Sequence, residues 1–119
     1  MRNLLVETIG TLKCYEKTPT DVLWVGNGCG EYVISWNDFE VIANEEYDSG
    51  YGAQEVASDL VVVGADWWLS RWEYDGSEGW KFNSIPLKSK NPIPFTHVIC
   101  PEELVGWQCI KDLEEKEQE

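Results

Sequence analysis

Residues 59–84, DLVVVGADWWLSRWEYDGSEGWKFNS, constrain the fold more than any other stretch, because they hold four of the seven tryptophans and the clearest turn signals of the chain. Leu60–Val63 is a short β-branched run closed by Gly64-Ala65-Asp66, the pattern of a buried strand rather than a helix. Trp67–Tyr74 follows as a second strand. Alternate side chains of a strand share a face, so Trp68, Ser70, Trp72 and Tyr74 lie on one side and Trp67, Leu69, Arg71 and Glu73 on the other. Aromatics on both faces predict a strand covered on each side. Asp75-Gly76 is a strong hairpin signal. A two-residue turn there sets Arg71 opposite Trp80 and Leu69 opposite Phe82, with the guanidinium over an indole, worth about 0.5–1 kcal/mol at an exposed site. A longer loop, Asp75–Gly79, pairs Tyr74 with Trp80 and Trp72 with Phe82, and such aromatic pairs contribute roughly 0.2–1 kcal/mol each. The pairing of apolar with apolar residues favours the longer loop. Either way, the stretch reads as a three-stranded antiparallel meander.

The 119 residues suffice for one domain with a hydrophobic core of its own. No apolar run approaches the roughly 20 residues that span a bilayer. The start, MRNLLVE, lacks the features of a secretory signal, so a cytoplasmic location is expected. Cys14, Cys29, Cys100 and Cys109 show no C-x-x-C spacing and read as free thiols in a reducing compartment. With His97, the only histidine, Cys100 and Cys109 fit no standard zinc pattern, and no metal or cofactor is expected. Gly28-x-Gly30 lacks the full glycine pattern and the lysine of a phosphate loop and reads as a turn.

Charge is the second constraint. The net charge is −13, and it is unevenly spread. Between Glu31 and Gly79, twelve carboxylates face a single base, Arg71. Residues 80–101 reverse this, with Lys81, Lys88 and Lys90 and no acid. From Glu102 onward seven acids stand against Lys111 and Lys116. Such a field repels nucleic acid and attracts basic surfaces.

Around the meander, Leu4, Leu5, Ile9 and Leu12 recur near helical spacing and predict a helix over about 2–16. Val22–Gly26 and Tyr32–Ser35 predict a hairpin over about 22–35. Ser35 reads as an N-cap with Asp38 at N3, opening a helix over about 36–47 whose inward face carries Trp36, Phe39, Ile42 and Ala43. Its C-terminal end then holds Glu45, Glu46 and Asp48, the wrong end for negative charge by the helix-dipole argument. Gln54–Ser58 suggests a short helical turn, Phe95–Cys100 a strand, and about 107–116 a last helix. The expectation is an α+β fold, one domain over 1–113 built on an antiparallel sheet, with an acidic and disordered tail over 114–119.

The strings DVLWVG at 21–26, EYDSGYGAQEVASDLVVVG at 46–64 and DWWLSRWEYDGSEGWKF at 66–82 resemble a group of small uncharacterised proteins of Gram-positive bacteria and their phages. The likeness covers roughly residues 20–86. It implies a phage or prophage context and brings no catalytic residue, cofactor or fold.

These features predict a small acidic, non-enzymatic module that docks on a basic protein surface. In a phage setting it would inhibit a host nuclease or other nucleic-acid-handling defence protein, of anti-CRISPR or anti-restriction type, by mimicking nucleic acid. The candidate partner-binding residues are Glu45, Glu46, Asp48, Tyr51, Glu55, Trp68, Trp72, Glu73, Asp75 and Glu78: carboxylates where phosphates would sit, and aromatics as desolvated anchors. The alternatives are a generic adaptor or structural protein, a carboxylate enzyme using Glu46/Asp48 or Asp75/Glu78 for acid–base work, and a small-ligand pocket built on the tryptophans.

Overall fold

A helix leaves the N–H groups of its first turn unpaired, and the chain solves this in a way that shapes one end of the molecule. Helix α1 (Leu4–Cys14) is capped by Asn3, whose side chain accepts from the Val6 N–H at 3.0 Å. The two N–H groups before it, of Leu4 and Leu5, donate to the carbonyls of Glu45 (3.1 Å) and Ala43 (3.0 Å). Two-residue strands β1 (Arg2–Asn3) and β4 (Glu46–Tyr47) pair antiparallel alongside, with Arg2 opposite Tyr47. The structure, a computed structural model, describes residues 1–48, 53–100 and 109–117.

This clamp corrects the expected second helix. Ser35 does cap α2 (Trp36–Ile42), accepting from Asp38 N–H at 3.2 Å. The helix ends with Ala43 as its C-cap rather than reaching Tyr47. The carbonyls of Ala43 and Glu45 are claimed by α1, and the chain turns into β4. Glu45, Glu46 and Asp48 therefore follow α2 instead of forming its last turn, and Glu45 stands against the first turn of α1.

The main sheet runs β3-β2-β5-β6-β7, antiparallel throughout, and with the helices it makes an α+β fold. The hairpin of β2 (Trp24–Asn27) and β3 (Val33–Ile34) turns where Asn27 accepts the Tyr32 N–H on its side chain at 3.0 Å. Strands β5 (Leu60–Val63), β6 (Trp67–Tyr74) and β7 (Ser77–Ser84) form the expected meander. Its last turn is the two-residue one, with Arg71 opposite Trp80 and Tyr74 opposite Ser77, not the longer loop. Asp75 and Gly76 both have positive φ, 51° and 85°, the geometry that Asp-Gly favours in such a turn. Trp72 then meets Gly79 instead of Phe82.

Only one face of β6 is packed. Trp67, Leu69 and the Arg71 side chain are buried, whereas Trp68 (37 %), Trp72 (42 %) and Tyr74 (79 %) on the other face stay exposed. The inner face meets Leu12 of α1 and Trp36, Phe39 and Ala43 of α2, which close a core with Val25, Val62, Leu69 and Trp80. Gln54–Ser58 is not helical, and Phe95–Cys100 forms no strand; residues of strand type still need a ladder neighbour.

The described residues divide into two compact units, Met1–Pro86 and Leu87–Glu119. The sheets, α1 and α2 belong to the first. In the second, α3 (Ile110–Glu117) carries regular backbone into the acidic tail. Glu114 of α3 accepts the Thr96 N–H at 2.8 Å and pairs with the His97 ring, which holds its carboxyl below the ordinary carboxylate value. No helix among the described residues is long and apolar enough to cross a membrane.

Candidate functional site

Between α2 and the β3–β2 end of the sheet lies a groove of about 570 Å³, within the size range of ligand sites. Leu4, Val25, Ile34, Phe39 and Leu60 give it an apolar lining contributed by five different elements. Ile42, Tyr47 and Val56 add to its walls. Four carboxylate residues, Glu45, Glu46, Glu55 and Asp59, also line it and are themselves exposed. No salt bridge among the described residues involves any of the four. An apolar floor with an unneutralised anionic rim favours a ligand with an apolar anchor and positive charge beside it.

One wall of this groove is held from behind by a buried ionic cluster. Arg71, with a side chain only 3 % exposed, donates Nη1 to Glu7 Oε1 (3.0 Å) and Nη2 to Glu78 Oε1 (3.0 Å) and the Tyr47 hydroxyl (3.2 Å). Tyr47 in turn donates to Glu7 Oε2. The guanidinium lies 4.6 Å from the Trp80 ring centroid. Burial draws the Arg71 pKa down, but hydrogen bonds to Tyr47, Glu7 and Glu78 outweigh it and leave the value above the ordinary one. Among the described residues the Arg71 Nε has no hydrogen-bond partner, a deficit of about 1–3 kcal/mol for a buried donor. Glu78 then reaches the groove wall: its carboxylate accepts the N–H groups of Glu55 (2.9 Å) and Val56 (3.3 Å). Beside the cluster, Trp80 Nε1 donates to the Thr8 hydroxyl at 2.9 Å.

The structure divides the sequence-derived site. Glu45, Glu46 and Glu55 line the groove, and the Asp48 N–H donates to Glu55 Oε2 at 3.0 Å. Tyr51 lies outside the described residues. Trp68 and Trp72 belong to the outer face of the sheet, away from α1 and α2. There Trp24, Val63 and Trp68 stand in one row. The Trp72 indole lies across Gly79, where an added Cβ would come within 3.0 Å of the ring, and its Nε1 donates to the Trp80 carbonyl at 3.2 Å. Glu73 and Asp75 sit exposed at the hairpin tip. Glu78, at 4 % exposure, is consumed by Arg71 and the Glu55–Val56 backbone and does not face solvent. Asp59 joins the rim although sequence reasoning passed it over; its place in the acid-rich segment was the available signal. The apolar lining left no local signal, because it assembles from distant elements.

Among the described residues no group of three or more His, Cys, Asp or Glu side chains could hold a metal ion. No family model, no curated protein and no solved structure matches the chain.

Proposed function

We propose that this chain is a non-enzymatic binding module whose groove takes a basic, apolar-anchored segment of a partner protein. The carrying observation is the coincidence at one place of an apolar lining and four exposed carboxylates that form no salt bridge among the described residues. The division of labour follows from the physics of association. A buried apolar side chain contributes about 1.5–3 kcal/mol of transfer free energy. The rim speeds encounter with cations and rejects anionic competitors. In the phage setting that the sequence likeness suggests, the module would act inside a host cell as an inhibitor, covering the basic surface with which a defence nuclease or effector complex holds nucleic acid. The buried Arg71 cluster supports this reading by fixing the wall at Glu55 and Val56, since a pre-formed site loses less entropy on binding.

The test is titration with lysine-rich peptides bearing a central apolar residue, against acidic and neutral peptides of the same length. Basic peptides should bind, with affinity falling as salt rises. The Glu45→Gln/Glu46→Gln/Glu55→Gln/Asp59→Asn chain should lose that affinity while keeping its fold. Equal binding by the neutralised chain sinks the proposal.

A further inference from the structure

The chain carries, within its own sequence, a segment with the chemistry that its groove would select. Residues 87–99 read LKSKNPIPFTHVI, with Lys88 and Lys90 and no carboxylate. Pro92 and Pro94 fix their own φ and confine Asn91 and Ile93 to extended conformations. The segment carries no helix or strand. Leu87 (87 %), Ile93 (87 %) and Ile99 (81 %) are nearly fully exposed and supply apolar anchors along the segment. Its far end is tethered, through Thr96 and His97, to Glu114 of α3.

We propose that residues 87–99 of one copy are a ligand for the groove of a second copy. The inference rests on the groove being a site for basic, apolar-anchored segments. A proline-punctuated segment flanked by basic residues is the kind of ligand that aromatic-lined grooves accept in polyproline II form, because it is extended before it binds and loses little conformational entropy. Here Tyr32 and Tyr47 line the groove, and Glu45, Glu46, Glu55 and Asp59 answer Lys88 and Lys90. Groove and segment are different surfaces, so the contact is heterologous. Two copies either exchange segments reciprocally or continue into longer chains. The overall charge of −13 opposes this, so self-association belongs to the high end of protein concentration.

Sedimentation equilibrium of the full chain from micromolar to millimolar concentration tests the proposal, using two charge-reversed variants at exposed positions. The Lys88→Glu/Lys90→Glu chain keeps an intact groove, and the Glu45→Lys/Glu46→Lys chain keeps an intact segment. The wild type should associate with rising concentration. Each variant alone should stay monomeric, and an equimolar mixture should regain a heterodimer. A wild type that is monomeric throughout overturns the proposal, as does association that survives both reversals or a mixture that stays monomeric. A monomeric wild type that still binds the lysine-rich peptide ends this inference and leaves the groove reading standing. Loss of both ends both.

Discussion

Arg71 and Glu78 meet diagonally across one hairpin, Nη2 and Oε1 3.0 Å apart, and the same carboxylate that pairs with the arginine also holds two backbone N–H groups of the segment before β5. One side chain thus ties the β6–β7 turn to the wall of the groove. Glu78→Ala leaves a buried cation short of one partner and strands the Glu55 and Val56 donors. The expected cost is about 3–5 kcal/mol, the range for removing one member of a buried pair. Chemical denaturation measures it, and hydrogen exchange should show Glu55 and Val56 losing protection ahead of Val62.

Stability should decline in alkali through Tyr47. Burial raises its pKa above the ordinary 10.0, with the Glu7 carboxylate adding to the rise and Arg71 opposing it. The folded chain therefore holds this proton more tightly than the unfolded chain. The contribution is whole below pH 10 and is lost as pH climbs through the folded value. Tyr47→Phe should cost about 1–3 kcal/mol at neutral pH, because Glu7 and Arg71 each lose a partner. Its stability should then fall less steeply than wild type above pH 10. Urea midpoints across that range check both statements.

Asn3 caps α1 and also donates from its amide to the Asn44 side chain at 3.0 Å. Asn3→Ala should cost more than an ordinary cap, toward the upper end of the usual range of about 0.5–2 kcal/mol. Asn3→Asp keeps the cap acceptor and loses the donor to Asn44, so thermal unfolding should place it between Asn3→Ala and wild type.

Gly79→Ala should separate structure from stability. A strand interior favours Ala over Gly by about 0.5–1 kcal/mol. The new methyl group presses on the Trp72 ring, which is exposed enough to give way. The net change should stay within about 1 kcal/mol. The indole N–H resonance of Trp72 should nevertheless move as its bond to the Trp80 carbonyl is lost. An unshifted resonance would show that the ring does not depend on Gly79.

Local patterns carried the meander, the Asp75-Gly76 turn and the Ser35 cap, because each rests on neighbours within a few residues. Apolar pairing alone points to the wrong hairpin register. In the sequence, Arg71 opposite Trp80 signals a ring contact only, and nothing there says that its charge is buried between Glu7 and Glu78. The spacing of Ile42, Ala43 and Tyr47 continues a helical pattern past the true end of α2. What stops the helix is α1, forty residues earlier in the chain, taking the carbonyls that follow it. The anionic side of the groove was visible as a run of acids. Its apolar side was not, since Leu4, Val25, Phe39 and Leu60 meet only after folding.

The pairing of Arg2 with Tyr47 has a practical consequence. Tyr47 and Leu4 both line the groove, so anything fused ahead of residue 1 joins the chain within a few residues of that lining. Under the proposed reading of the groove, a basic purification tag placed there is a tethered competitor for the cleft, and binding assays call for the untagged chain.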